Sequence, residues 1–335
     1  MKNKKLRVAI LGVTGAVGQE FLSILEERKF PLAELKVLAS ERSAGKNVKF
    51  LGKWMTVQAA APESFKGIDL VLSSAGATVS RRLVPEAVKA GAVVIDNTSA
   101  FRMDASVPLV IPEINASEIS KHKGIIANPN CSTIVMAVPL YPLHEAARAR
   151  RVIVSTYQAA SGAGMKAMRE LEEQTREVLA GKKPAPKVFR HPIAFNLFSH
   201  DSAIREDGFT EEEYKMIQET RKIFRTPELK IVATTIRVPV LRAHSESIVV
   251  EFERPLSEEE AKKILQKSPG VEVVDRRKEN YFPMPIEASG KDNILVGRIR
   301  KDPSSENGLA FFVSGDQLRK GAALNAVQIA EILFS

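Results

Sequence analysis

The most constraining feature of the chain is a strand that runs without a break into a glycine turn and a helix. Leu6-Arg7-Val8-Ala9-Ile10-Leu11 is a near-continuous apolar run, the pattern of a central parallel strand covered on both faces. Gly12-Val13-Thr14-Gly15-Ala16-Val17-Gly18 follows directly, and the spacing predicts a helix over 19–28 with Phe21, Leu22 and Leu25 on one face. Glycines let a backbone come close to a pyrophosphate, and the helix N-terminus supplies N–H groups. The spacing is GxxGxxG rather than GxGxxG, so the strand–turn–helix context is what makes Gly12, Thr14, Gly15, Ala16 and Val17 candidates for a phosphate cradle.

The same rhythm continues. Apolar runs at 35–39, 69–75 and 92–96 read as further strands, with a helix ending near Lys89 between the last two. Strands alternating with helices imply an α/β domain with a Rossmann-like doubly wound parallel sheet. Ligands of such sheets bind beyond the carboxyl ends of the strands, so residues 73–77, 97–102 and Cys131 are expected on one rim. Arg102 is then a candidate anion clamp, although a lone arginine is more often a surface residue. The loop Ser40-Glu41-Arg42-Ser43-Ala44-Gly45 falls where an adenosine ribose would lie. Glu41 suits a 2′-hydroxyl, whereas Arg42 with Ser43 suits a 2′-phosphate, and an Arg beside Ser and Gly favours NADP over a merely solvated turn.

Residues 124–133 hold the single cysteine of the chain. Residues 124–127 read as a short buried strand, Asn128-Pro129-Asn130 as a turn, and 132–149 as a helix kinked at Pro139 and Pro142. Cys131 therefore falls at a helix mouth, where free N–H groups and the helix dipole favour a thiolate. A buried structural cysteine is the other reading, and the commoner one for a lone Cys.

Composition narrows the class. A chain of 335 residues suits two domains, and 44% hydrophobic with 27% charged residues is ordinary for a soluble protein. One cysteine excludes an internal disulfide and a cysteine cluster, and five scattered histidines lack metal-ligand spacing, so no metal is expected. The net charge of +9 is spread along the chain among acids, and aromatics are only 6%, which argues for small-anion sites rather than nucleic acid. The basic start Met1-Lys2-Asn3-Lys4-Lys5-Leu6 leads into no signal-peptide core, and no stretch reaches a membrane span, so a cytoplasmic location is expected.

The second half changes pattern. Residues 152–158 form a strand with a polar end, leading through Ala159-Ala160-Ser161-Gly162 to a charged helix over 165–179. Thr210 with Glu213 makes a capping box for another helix, on which Glu212 and Lys215 share a face as a solvated ion pair or a binding pair. Arg237 and His244 lie seven apart in a strand-rich segment that Pro239 should interrupt. His244 is a general acid/base or a satisfied polar residue at a strand end. Strands at 293–300 and 309–314 complete a mixed or antiparallel sheet, and a final helix ends near Leu333.

Taken together, these segments resemble the aspartate-semialdehyde dehydrogenases. The resemblance covers nearly the whole chain: GVTGAVGQE at 12–20, SERSAG at 40–45, DNTSAFRMD at 96–104, NPNCST at 128–133, YQAASGAG at 157–164, EEYKM at 212–216, RVPVLRAHSES at 237–247 and LRKGAALNAVQIAE at 318–331. It implies NADPH-dependent reductive dephosphorylation of L-aspartyl 4-phosphate to L-aspartate 4-semialdehyde and phosphate, in the route to lysine, diaminopimelate, threonine, methionine and isoleucine. It implies Cys131 as the acyl-enzyme nucleophile, His244 as acid/base and Gln158 as the residue that orients the intermediate. Arg237 would clamp the α-carboxylate, Glu212 would meet the amino group, and Arg102 with Lys215 would hold phosphate. Ser161 and Gly162 would lie against the nicotinamide, as would Gln317, where many members have asparagine. It further implies an NADP-binding domain over 1–130, an α+β catalytic and dimerisation domain with a mixed sheet over 131–314, and a helical segment 315–335 returning to the first. A homodimer or dimer of dimers is expected. Besides Gln317, the chain departs at Phe198-Ser199-His200-Asp201-Ser202, where the family usually has a proline and an Ile-Asp. An N-acetyl-glutamyl-phosphate reductase would share the thioester chemistry but offers Glu212 no ammonium. A catalytically silent nucleotide-binding relative is the rival from another class.

Overall fold

The computed structural model describes residues 5–335, so the first four residues of the basic start lie outside it. The chain divides into two compact units, Met1–Asn130 with Ala322–Ser335, and Cys131–Gly321.

The first unit comprises β1 (Leu6–Leu11), α1 (Ala16–Glu27), β2 (Leu32–Ala39), β3 (Asn47–Phe50), β4 (Lys53–Thr56), β5 (Gln58–Ala59), β6 (Leu70–Ser73), α2 (Ala77–Lys89), β7 (Val93–Asp96), α3 (Pro112–Asn115) and β8 (Ile125–Ala127). Its main sheet has the order β5-β2-β1-β6-β7-β8, with every pair parallel. The apolar run of β1 is explained by what lies on each side. Val8 and Ile10 pack with Phe21, Leu22 and Leu25 of α1 and with Val327 and Ile329 of the closing helix Leu324–Phe334. Ala9 and Leu11 face the opposite layer, with Leu83, Val84 and Ala87 of α2. Alternate residues of one strand thus serve two cores.

Two local differences from the sequence reading have physical causes. Helix α1 starts at Ala16, because Gly15, in extended conformation, already serves as its N-cap. The antiparallel β3–β4 hairpin is not foreseen by the sequence reading. Its tight turn puts Leu51 and Gly52 both at positive φ (48° and 76°), a turn usually marked by Asn or Asp rather than leucine.

The second unit comprises α4 (Cys131–Ala147), β9 (Ala149–Gln158), α5 (Met165–Leu179), β10 (Phe198–Ser199), α6 (Glu211–Phe224), β11 (Lys230–Arg237), β12 (His244–Phe252), α7 (Glu258–Lys267), β13 (Val271–Val273), α8 (Pro285–Ala288), β14 (Ile294–Lys301) and β15 (Gly308–Gly315). The sheet order is β10-β11-β9-β12-β15-β14-β13, and it is mixed: β11–β9 and β13–β14 are parallel, the rest antiparallel. Helix α4, apolar nearly all round and largely buried, runs against this sheet as one continuous element through Pro139 and Pro142, although each proline lacks a backbone donor. On the other face, Ile153, Tyr157, Val249 and Phe312 are only partly covered, with the Tyr157 and Phe312 rings 6.2 Å apart.

Among the described residues, no helix is long and apolar enough to cross a membrane.

Candidate active site

Sheet topology brings three strand ends of the second unit together. Strand β9 lies between β11, parallel to it, and β12, antiparallel to it. The carboxyl ends of β9 and β11 therefore meet the amino end of β12. Gln158 and Arg237 are register partners there, and His244 opens β12 next to them. The interruption expected at Pro239 is what turns the chain between Arg237 and His244, with Ala243 in the left-handed region at φ 73°.

One peptide holds both charged candidates. The Ala159 N–H donates to His244 Nδ1 at 3.0 Å, and the Ala159 carbonyl accepts from Arg237 Nη1 at 3.1 Å. Because Nδ1 is an acceptor, a neutral ring carries its hydrogen on Nε2, and Nε2 has no protein partner. Burial and then the Arg237 charge push His244 down to about 3. The ring is thus held uncharged by its surroundings. Gly162 lies so close that a Cβ there would come within 3.0 Å of Arg237 Nη1 and 3.1 Å of His244 Nε2. Only a hydrogen fits without displacing them.

Arg237 is 4% exposed, with the Phe189 ring 5.6 Å from its Cζ. Its Nε has no hydrogen-bond partner, and the nearest carboxylate, Asp201, stands 3.9 Å away. A buried guanidinium with donors unspent is costly unless an anion arrives. Burial lowers its affinity for a proton, offset in part by Asp201, Glu212 and Cys131.

The capping box predicted for α6 is present and places Glu212. Glu213 N donates to Thr210 Oγ1, Thr210 N to Glu213 Oε2, and Thr235 N of β11 to Glu213 Oε1. That fixes the first turn of α6 against the sheet. Glu212 then accepts from Gln158 Nε2 at 3.2 Å and pairs with Lys215 at 3.4 Å. Gln158 Nε2 also donates to Ser132 Oγ, next to Cys131 at the start of α4. The Gln158 side-chain oxygen Oε1 is buried and has no partner. Ser161 Oγ accepts from Gln317 Nε2, whose Oε1 accepts from Ala243 N at 2.9 Å. Gln317 thus ties the Ser161 loop to the residue before His244, and Asp316 beside it takes Arg242 Nε at 2.7 Å.

The sequence reading named Cys131, Gln158, Ser161, Gly162, Glu212, Lys215, Arg237, His244 and Gln317, and all belong to this unit. It gave no role to Ser132, Ala159, Asp201 or Asp316, because what each touches depends on other elements. His200, whose Nε2 lies 2.8 Å from Arg237 Nη2, was visible only as part of a departure from the family pattern.

The first unit carries the other candidates. A cavity of about 500 Å³ is lined by Gly12, Thr14, Gly15, Ser40, Glu41 and Arg42, and also by Arg82 of α2, which the sequence reading did not name. Gly12, at φ 94°, brings the turn so near β6 that a Cβ would meet the Ser74 carbonyl oxygen at 2.6 Å. Ala16 and Val17 open α1 behind this turn, and Ser43 closes the short helical turn Glu41–Ser43. A glycine turn, a helix N-terminus and two arginines fit a dinucleotide bearing an extra phosphate. Arg102 is buried, with Nε on the Asn128 carbonyl and Nη2 on the Asn97 carbonyl, each at 2.8 Å. Nearby, Asp96 accepts from Ser80 at 2.9 Å and Thr98 at 2.7 Å, which ties the rim of the sheet together.

Comparison with known proteins agrees with both units. Residues 7–122 match the family model of the semialdehyde dehydrogenase NAD binding domain, and residues 140–320 that of the semialdehyde dehydrogenase dimerisation domain. An aspartate-semialdehyde dehydrogenase of Synechocystis sp. is 56% identical over 328 residues, covering 98% of this chain and 97% of the relative. A crystal structure of aspartate semialdehyde dehydrogenase II from Vibrio cholerae complexed with ASA superposes with TM-score 0.96 at 44% identity, covering 98% of each chain. One of the Candida albicans enzyme with NADP gives TM-score 0.75 at 26% identity, again over 98% of each chain. With its two family domains in order and full-length relatives above half identity, the chain belongs to the aspartate-semialdehyde dehydrogenase family.

Proposed function

We propose that this chain reduces L-aspartyl 4-phosphate to L-aspartate 4-semialdehyde and phosphate with NADPH, through a thioester on Cys131. The observation that carries the reading is the pairing, in one buried cluster, of Arg237 with unspent donors and the Glu212 carboxylate beside Gln158. These complement the carboxylate and ammonium of an α-amino acid.

The thiolate of Cys131 attacks the acyl carbon, the C–O bond to phosphate breaks, and phosphate leaves with the electron pair, its charge met by Lys215. Gln158 holds the acyl group in line while Arg237 and Glu212 fix its far end. The reduced dinucleotide supplies the hydride when bound. His244 presents Nε2–H as a hydrogen-bond donor to the oxyanion that develops on hydride transfer. The oxyanion re-forms the carbonyl as the C–S bond breaks, and the thiolate of Cys131 leaves with the electron pair. A ring held neutral stabilises that charge without giving up its one hydrogen. Arg42 and Ser43, with Arg82, are read as the 2′-phosphate site and Gly12 to Val17 as the pyrophosphate cradle.

A reduced nucleophile fits the cytoplasm. The partly covered sheet face around Tyr157 and Phe312 is read as the surface that pairs two copies into a homodimer.

The test runs the reaction backward, with purified protein, aspartate semialdehyde, phosphate and NADP or NAD. Phosphate-dependent reduction of NADP supports the reading. Turnover of the N-acetyl-glutamyl analogue alone moves the assignment to that reductase. Cofactor binding by folded protein without turnover of either moves it to a silent relative.

A further inference from the structure

Ala243, the residue before His244, is fully buried and holds φ at 73°, in the left-handed region. The Cβ of an alanine is strained there, and such a residue keeps that conformation only where its neighbours enforce it. The strain bears on the active site, because the turn through Ala243 sets the direction in which His244 enters β12.

Gln317 is the side chain that enforces it. The Ala243 N–H donates to Gln317 Oε1 at 2.9 Å. A backbone amide can only donate, so the oxygen of the Gln317 side chain belongs at that end and the nitrogen at the other. Nε2 donates to Ser161 Oγ. Gln317 is 2% exposed and Ser161 1%, so water scarcely competes for either bond. The two sides that Gln317 joins are themselves fixed. Asp316 accepts Arg242 Nε at 2.7 Å, the Gly290 N–H at 2.6 Å and the Leu318 N–H at 2.9 Å, which anchors the chain on either side of residue 317. Ala160 N donates to the Val240 carbonyl at 2.8 Å, and Ser161 N to the Leu241 carbonyl at 3.0 Å. Gln317 thus closes a frame between the Ser161 loop and the turn before His244. Asparagine is one methylene shorter and would withdraw the amide from one partner or both.

On the functional reading above, we propose that Gln317 is a positioning residue for His244, a role separate from contact with the nicotinamide: by holding Ala243 in its left-handed turn it aims the imidazole Nε2–H at the oxyanion. Gln317 sets the backbone, and the Ala159 N–H on Nδ1 sets the ring.

The test makes Gln317→Asn in the full chain. It measures NADPH affinity by fluorescence titration, kcat with aspartate semialdehyde, phosphate and NADP, and hydrogen exchange of the peptide carrying the Ala243 amide. The kcat should fall about tenfold with the NADPH dissociation constant unchanged, and the Ala243 amide should exchange faster. Glycine adopts a positive φ without strain, so adding Ala243→Gly to Gln317→Asn should recover most of the lost kcat. Weakened NADPH binding with kcat unchanged would make Gln317 a cofactor contact only and overturn the proposal. So would a loss of kcat that Ala243→Gly does not restore, or an Ala243 amide that exchanges no faster. Absence of phosphate-dependent activity in the unaltered protein would instead remove the functional reading, while the exchange measurement, which needs no turnover, still decides whether Gln317 braces Ala243.

Discussion

Glu246 lies on the same face of β12 as His244, opposite Thr156 of β9, and is fully buried with neither carboxylate oxygen partnered. Burial raises its proton affinity well above that of an ordinary carboxyl, so the folded chain holds it as the neutral acid. The unfolded carboxyl titrates near pH ~4.3. Above that pH the native state binds the extra proton, and Glu246 lowers stability progressively as pH rises toward its folded value. Glu246→Gln stays neutral throughout. Its stability relative to the natural chain should therefore increase from pH 5 to pH 8 in urea titrations, and a difference that does not vary with pH would contradict this. Nothing in the sequence flags Glu246, since its environment comes from strand pairing. Cys131, Arg237 and His244 were legible by contrast, because each sits at a punctuated element end. The uncharged state of His244 was not, because it depends on Ala159 and Arg237 from other elements.

At the scale of elements, α6 shows how a local sequence code serves a distant purpose. The Thr210–Glu213 box was readable from spacing alone, yet the second use of Glu213, on Thr235 of β11, needs the sheet to be assembled. Thr210→Ala removes one cap and should cost about 1 kcal/mol. In a unit of this size that lowers Tm by roughly 2–4 °C. KM for the amino-acid substrate should rise while NADP affinity is unchanged, because Glu212 loses its fixed first turn. An unchanged KM with lowered Tm would separate the cap from the site. The hairpin β3–β4 escaped the sequence reading because a leucine occupies a positive-φ turn position, whereas β1 was plain because both its faces are buried.

At the scale of the whole molecule, the chain puts a parallel sheet with a glycine turn in one unit and a mixed sheet with Cys131, Gln158, Arg237 and His244 in the other. The alternation of strands and helices made the first legible. The second was legible only as motifs in order, since β9, β11 and β12 meet across long separations. The central claim is that catalysis passes through a covalent acyl group on Cys131. Its most direct test is intact-protein and peptide mass spectrometry after brief mixing with L-aspartyl 4-phosphate, without reduced cofactor. An aspartyl adduct on the Cys131 peptide, discharged on adding NADPH and absent from Cys131→Ala, is the predicted result. Turnover that persists in Cys131→Ala, or an adduct on another residue, would contradict the account.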